Sequence, residues 1–138
     1  MNAIKTALLA ISVIATASAV AGDIVVIVNK ANSSAVDKAL VSKIYFGESK
    51  SWGDVGAVVA YDLPEENPER ASFSTDVLGK SVSNMKALAS RNMFSGKAVP
   101  PKELPSDEEV KKSVAANKGG IGYIKAANVD DSVKVVIK

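Results

Sequence analysis

Ile24-Val25-Val26-Ile27-Val28 is the stretch on which the reading of the fold turns. Its β-branched side chains favour extended backbone and leave the strand no polar face. A run apolar on both sides suits a strand covered by helices above and below, as in a largely parallel sheet. Just beyond it, Asn29 to Asn32 breaks the run, and Ser34-Ala35-Val36-Asp37 reads as a helix-starting capping box. Val36, Leu40, Val41 and Ile44 then line one helical face as far as Tyr45, where Gly47 ends the helix.

The same alternation continues to the C-terminus. Trp52-Gly53 leads into Ala57 to Tyr61 (AVVAY), a second strand, and Asp62 to Glu66 is a loop. Asn67-Pro68 puts a cap and a first-turn proline in their preferred places, and that helix runs to Leu78 before Gly79. Ser81 caps the next helix, whose Val82, Met85, Leu88 and Met93 keep roughly helical spacing before Gly96. Val99 to Pro105 is a proline-rich crossing segment, and Ser106-Asp107-Glu108-Glu109 is a second capping box, with Val110 and Val114 behind it. Gly120 to Ile124 and Val133 to Ile137 are the last two strands. Strands alternating with helices predict an α/β domain, a three-layer αβα sandwich.

Upstream of the first strand, Lys5 precedes an uncharged apolar stretch, Thr6 to Ala21, which ends in A-x-A patterns at Ala17-Ser18-Ala19 and Ala19-Val20-Ala21. A basic start, a short apolar core and a small-residue site make a secretory signal peptide over residues 1–21. A membrane span would need about 20 strongly apolar residues, and this stretch is shorter and rich in Ala, Ser and Thr. Cleavage is expected after Ala21, with Ala19 the alternative, which predicts a periplasmic protein consisting of residues 22–138. Without Lys5, sixteen basic residues face fifteen acidic ones, a net charge of +1. That is far from the basic stripe that nucleic acid demands, so no nucleic-acid partner is expected.

Cysteine and histidine are both absent. Disulfides, Cys/His zinc sites and Ser-His or Cys-His nucleophile pairs are therefore excluded. No calcium-loop spacing or phosphate-cradling glycine loop occurs, so neither metal nor cofactor is implied. The chain reads as a non-enzyme. What its residues can offer is an anion site: helix starts at Ser33/Ser34 and at Asn67 follow directly on strands, where free N–H groups and the helix dipole gather. Arg70 adds a guanidinium. The plainer reading makes Ser34 and Asn67 simple caps and Arg70 a surface charge. Trp52 and Tyr123 read as packing residues, and the glycines at 119, 120 and 122 as allowing close backbone approach.

Ile27-Val28-Asn29, then Leu40-x-x-x-Ile-Tyr-Phe-Gly47, then Trp52, resembles a stretch of the phosphate-binding components of ABC transporters. So does Gly120-Ile121-Gly122-Tyr123 after Asn117-Lys118-Gly119, and the intervening Phe73, Val77-Leu78-Gly79, Gly96-Lys97 and Pro100-Pro101 are similar to small single-lobe relatives. The resemblance covers nearly all of residues 22–138 and implies one lobe of a type 2 periplasmic binding protein. The family's Arg-Asp-x-x-Ser-Gly-Thr motif should follow the AVVAY strand. Here Asp62 and Arg70 have counterparts, while the Ser-Gly-Thr is gone and acidic residues replace it.

Together these readings give an exported solute-binding-like protein taking a small ligand, phosphate or another small anion, for transport or sensing. Its expected ligand residues are Ser33, Ser34, Asp62, Asn67 and Arg70. A lone lobe buries little ligand surface, so a homodimer or a membrane-protein partner is expected to cover it. The alternative is a periplasmic interaction module that has lost its ligand and docks on a membrane sensor, transporter or envelope assembly; Glu65 and Glu66 at the ligand loop favour it.

Overall fold

The IVVIV run forms most of β1 (Ile24–Asn29), five of whose six residues are buried. The structure, a computed structural model, describes residues 23–138; the signal-peptide reading of residues 1–21 lies outside them. After β1 come α1 (Lys38–Tyr45), β2 (Val59–Asp62), α2 (Pro68–Phe73), α3 (Val82–Ser95), β3 (Lys102–Glu103), α4 (Asp107–Ala116), β4 (Gly120–Lys125) and β5 (Val133–Ile137). The five strands form one sheet in the order β3-β2-β4-β1-β5.

Cross-strand registers show how the sheet separates two helical layers. Ile27 pairs with Gly122 and Val26 with Tyr123, and directly paired residues share a face. On the Ile27–Gly122 side lies α4: a Cβ on Gly122 would stand 2.5 Å from Val110 Cγ1, and one on Gly120 would stand 3.0 Å from Val114 Cα. Only glycine lets the helix sit this low. On the other side α2 covers Tyr123, whose ring stacks on Phe73 at 3.9 Å between centroids, with Tyr45 of α1 edge-on to Phe73 at 4.8 Å. Val26, Ile27, Val28, Val41, Leu63, Val114, Ile121 and Ile124 complete the core at zero exposure. The three-layer α/β arrangement is thus the one expected. The described strands, both helical layers and the core they bury all lie within residues 23–138.

The sheet is mixed rather than largely parallel. β2 runs parallel to β3 and β4, but β1 is antiparallel to both β4 and β5. The first helix begins at Lys38, capped by Asp37, whose carboxylate accepts the Leu40 N–H at 2.8 Å. Ser34 does not cap it: its N–H is taken by the Asn32 side chain at 2.9 Å, a local turn that competes with helix. The helix starting at Asn67 widens into a π-turn over Ser74–Leu78 before Gly79 stops it at φ 70°. In α3 the buried position is Asn92, one residue off Met93, which is exposed. Asn92 continues the seven-residue spacing from Met85, and its amide donates to the Phe46 carbonyl at 2.8 Å. The crossing segment supplies β3, which pairs beside Tyr61 and Asp62.

Candidate functional site

Where the parallel strands β2 and β4 end, four polar side chains converge. Asp62 is the last residue of β2, and its Oδ1 accepts the Leu63 N–H at 2.9 Å and the hydroxyl of Tyr123. The Leu63 N–H also reaches the Tyr123 oxygen at 3.2 Å. Arg70 arrives from the first turns of α2, which Asn67 starts by accepting the Glu69 N–H at 2.9 Å. Arg70 Nε lies 3.5 Å from Asp62 Oδ1, and its Nη1 donates to the Leu63 carbonyl at 3.1 Å. Glu103 of β3 closes the ring, with Oε1 3.5 Å from Arg70 Nη1.

The electrostatics follow from burial. Burial raises the Asp62 carboxyl above the ordinary carboxylate value, against the opposing pull of the Tyr123 hydrogen bond and the Arg70 charge. The Tyr123 hydroxyl is raised as well, by burial first and then by the Asp62 charge. Arg70 is 13 % exposed and faces two carboxylates, so the cluster carries a net negative charge when both are ionised. Beside it, the Lys86 hydrogen bond holds Glu65 below the usual carboxylate range. A second carboxylate pair lies near the start of α4. Asp107 Oδ2 accepts the Lys125 N–H at 3.0 Å and the Asn128 amide at 2.7 Å, and Lys125 Nζ lies 3.6 Å from Glu69 Oε1. Glu69 Oε2 and Asp107 Oδ1 are buried with no hydrogen-bond partner, and Asp107 is among the groups that raise the Glu69 carboxyl.

Of the residues singled out in the sequence, the structure brings Asp62, Asn67 and Arg70 together and leaves Ser33 and Ser34 apart. The registers give the reason. Val28 pairs with Ile121 and Ile24 with Lys125 in antiparallel sense, while Ala60 pairs with Ile121 in parallel. Chain leaving β1 therefore emerges at the opposite end of the sheet from chain leaving β2. Ser33 is exposed and Ser34 half-buried in the segment between Asn32 and Asp37. Glu103 and the Tyr123 hydroxyl are the site residues not foreseen. A tyrosine in the apolar GIGYI strand was the available signal, because a buried hydroxyl needs a partner.

Packing accounts for the remaining motifs. The Trp52 indole N–H donates to the Gly119 carbonyl at 2.9 Å, and a Cβ on Gly119 would meet the Ala57 carbonyl oxygen at 2.0 Å. A recess of about 670 Å3, lined by none of the polar-cluster residues, lies between the ends of α1 and α3 and the first half of β2. No group of three or more acidic, His or Cys side chains placed to hold a metal ion occurs among the described residues.

Solved structures with a similar fold include a phosphate transport receptor and a substrate-binding protein with bound phosphate. An ABC-type phosphate transport receptor from Vibrio cholerae superposes with a TM-score of 0.63 at 22 % identity, over 82 % of this chain and 44 % of that one. A Clostridium perfringens protein solved with phosphate bound gives 0.66 at 22 %, over 82 % and 43 %. PstS from Borrelia burgdorferi gives 0.62 at 13 %, over 83 % and 46 %. The chain thus has the fold of a type 2 periplasmic binding protein and spans less than half the length of these relatives, as a single lobe does. No protein-family model matches the sequence, and no curated protein does.

Proposed function

We propose that this chain is an exported solute-binding-like protein that works as a single lobe and takes a small anion, phosphate among the candidates, at the Asp62–Asn67–Arg70 end of the sheet. What supports the reading is one observation. The chain shares the phosphate-receptor fold over 82 % of its length, and Asp62 and Arg70 meet at 3.5 Å at the carboxyl ends of the parallel strands, where open α/β sheets bind their ligands. Arg70 is occupied as it stands. Glu103, whose side chain is 58 % exposed, is the partner an anion would displace; Asp62 is buried and stays. Ser33 and Ser34 belong to this proposal only as residues contributed to a second copy or partner covering the lobe.

Titration calorimetry of residues 22–138 with inorganic phosphate at low salt tests it. Micromolar binding abolished by Arg70→Ala and weakened by Asn67→Ala supports the reading; no heat at millimolar phosphate overturns it. Export is tested by deleting residues 1–21, which should trap the protein in the cytoplasm.

The interaction-module reading is favoured by a different observation. The guanidinium already has three oxygen partners, from Asp62, Leu63 and Glu103, and Glu65 and Glu66 stand exposed beside it. An acidic loop of this kind suits a basic protein surface better than phosphate. Crosslinking in intact cells from position 66, yielding one discrete envelope partner, would support it.

A further inference from the structure

The large hydrophobic side chains that stand exposed among the described residues fall in one short segment: Met93 at 59 %, Phe94 at 97 % and Val99 at 85 %. They bracket the last turn of α3 and the left-handed Gly96 that ends it at φ 75°. The same region is the most one-sided in charge. Between Asp76 and Glu103 the sequence holds Lys80, Lys86, Arg91, Lys97 and Lys102 and no acidic residue. Lys86 is neutralised by Glu65 at 2.7 Å, but the other four enter none of the ion pairs among the described residues. All four are exposed. The nearby carboxylates are Glu48, which shares a small recess with Lys80, Arg91 and Lys97, and Glu103, adjacent to Lys102. The cations outnumber them.

We infer that this tip, where Met93, Lys97, Val99 and Lys102 line the recess described above and Phe94 and Arg91 stand exposed nearby, is a docking surface for an anionic phospholipid bilayer. Apolar side chains that enter the headgroup layer, flanked by cations that meet lipid phosphates, are the pattern by which a protein lies on a membrane. No helix among the described residues is long and apolar enough to cross one, so the contact is peripheral. Phe94 is almost wholly exposed and so projects as a knob; a fluid bilayer receives such a knob without a preformed pocket. A second copy docked tip to tip would set four unpaired cations against four, which opposes a symmetric dimer at this surface. The inference is independent of phosphate binding, since Arg70 and Asp62 take no part in it.

Vesicle co-sedimentation of residues 22–138 tests it, using phosphatidylcholine alone and phosphatidylcholine with about one third phosphatidylglycerol. The expected result is partition onto the anionic vesicles only, lost when salt rises to about 0.5 M. Phe94→Ser and, separately, the double variant Arg91→Gln with Lys97→Gln should each lower the partition coefficient about tenfold or more. These side chains are exposed, so thermal unfolding should be unchanged and the loss attributable to the surface. Absence of partition onto anionic vesicles overturns the inference, as does partition undiminished in both variants. So does self-association in sedimentation velocity that Phe94→Ser abolishes, which would make the tip a protein contact.

Discussion

The Phe73 ring lies flat against Tyr123, with centroids 3.9 Å apart and planes 7° from parallel. This contact seats α2 on the sheet and holds the tyrosine hydroxyl on Asp62. Phe73 is 2 % exposed, so Phe73→Ala should cost about 3–5 kcal/mol in denaturant unfolding. Phe73→Leu keeps most of the volume and should cost about 1.5 kcal/mol or less. If the two variants were equally destabilised, the ring stack would not be what joins helix to sheet.

Tyr123→Phe should retain the stack and delete only the hydroxyl. Asp62 then loses a donor while still accepting from Leu63 and facing Arg70. A loss of about 1–3 kcal/mol is expected, from a buried carboxylate left under-satisfied. Equal unfolding midpoints for Tyr123→Phe and the parent chain would refute the role given to the hydroxyl.

Removing the movable carboxylate should act on binding and not on folding. Glu103 is exposed, and its contact with Arg70 contributes no more than about 1 kcal/mol to stability. Under the proposed function, Glu103→Gln raises phosphate affinity by about threefold to tenfold at low salt. Calorimetry showing unchanged or weaker binding would mean that Glu103 does not guard the guanidinium.

The buried pair near α4 sets a pH dependence. Burial, then the hydrogen bond and charge of Asp107, push the Glu69 carboxyl up to about 8, against the pull of Lys125. An unfolded glutamate releases its proton near about 4.3. Between those values the folded chain holds a proton that the unfolded chain has lost. Stability from this group is therefore full below the lower value, falls as pH rises through the window and levels off above the upper one. The slope is at most about 1.4 kcal/mol per pH unit, and Glu69→Gln should flatten it. Urea unfolding at several pH values reads this directly.

Close approach also fixes residue 119. Gly119→Ala places a Cβ on the Ala57 carbonyl, and overpacking of this kind costs about 1–3 kcal/mol or more. At Gly56 nothing stands within 4 Å, and only the positive φ of 86° opposes alanine, a penalty of about 1 kcal/mol. Thermal melts should rank Gly119→Ala as the more damaging.

Strands and helix ends were legible in the sequence because local chemistry decides them. IVVIV, AVVAY and GIGYI have no other stable use, and Asn67, Ser81 and Ser106 cap helices as expected. Strand direction was not legible. A strand covered on both faces is apolar throughout whether its neighbours run with it or against it, so IVVIV gave no sign that β1 is antiparallel. The first helix start was missed because Asn32, Ser34 and Asp37 compete as caps, and the turn after β1 awards the Ser34 N–H to Asn32. The site was legible as far as Asp62 and Arg70, eight residues apart. Glu103 was not, since it reaches Arg70 only through the pairing of β3 with β2.

β3 has a consequence for how copies of this protein can aggregate. Its two residues lie between Pro100-Pro101 and Pro105, none of which has an N–H to offer. The prolines leave this margin short of donors for strand addition, whereas β5 forms the opposite margin. Edge pairing between copies is therefore favoured on the β5 side. A sheet with one such disfavoured margin leans toward a pair rather than a fibre.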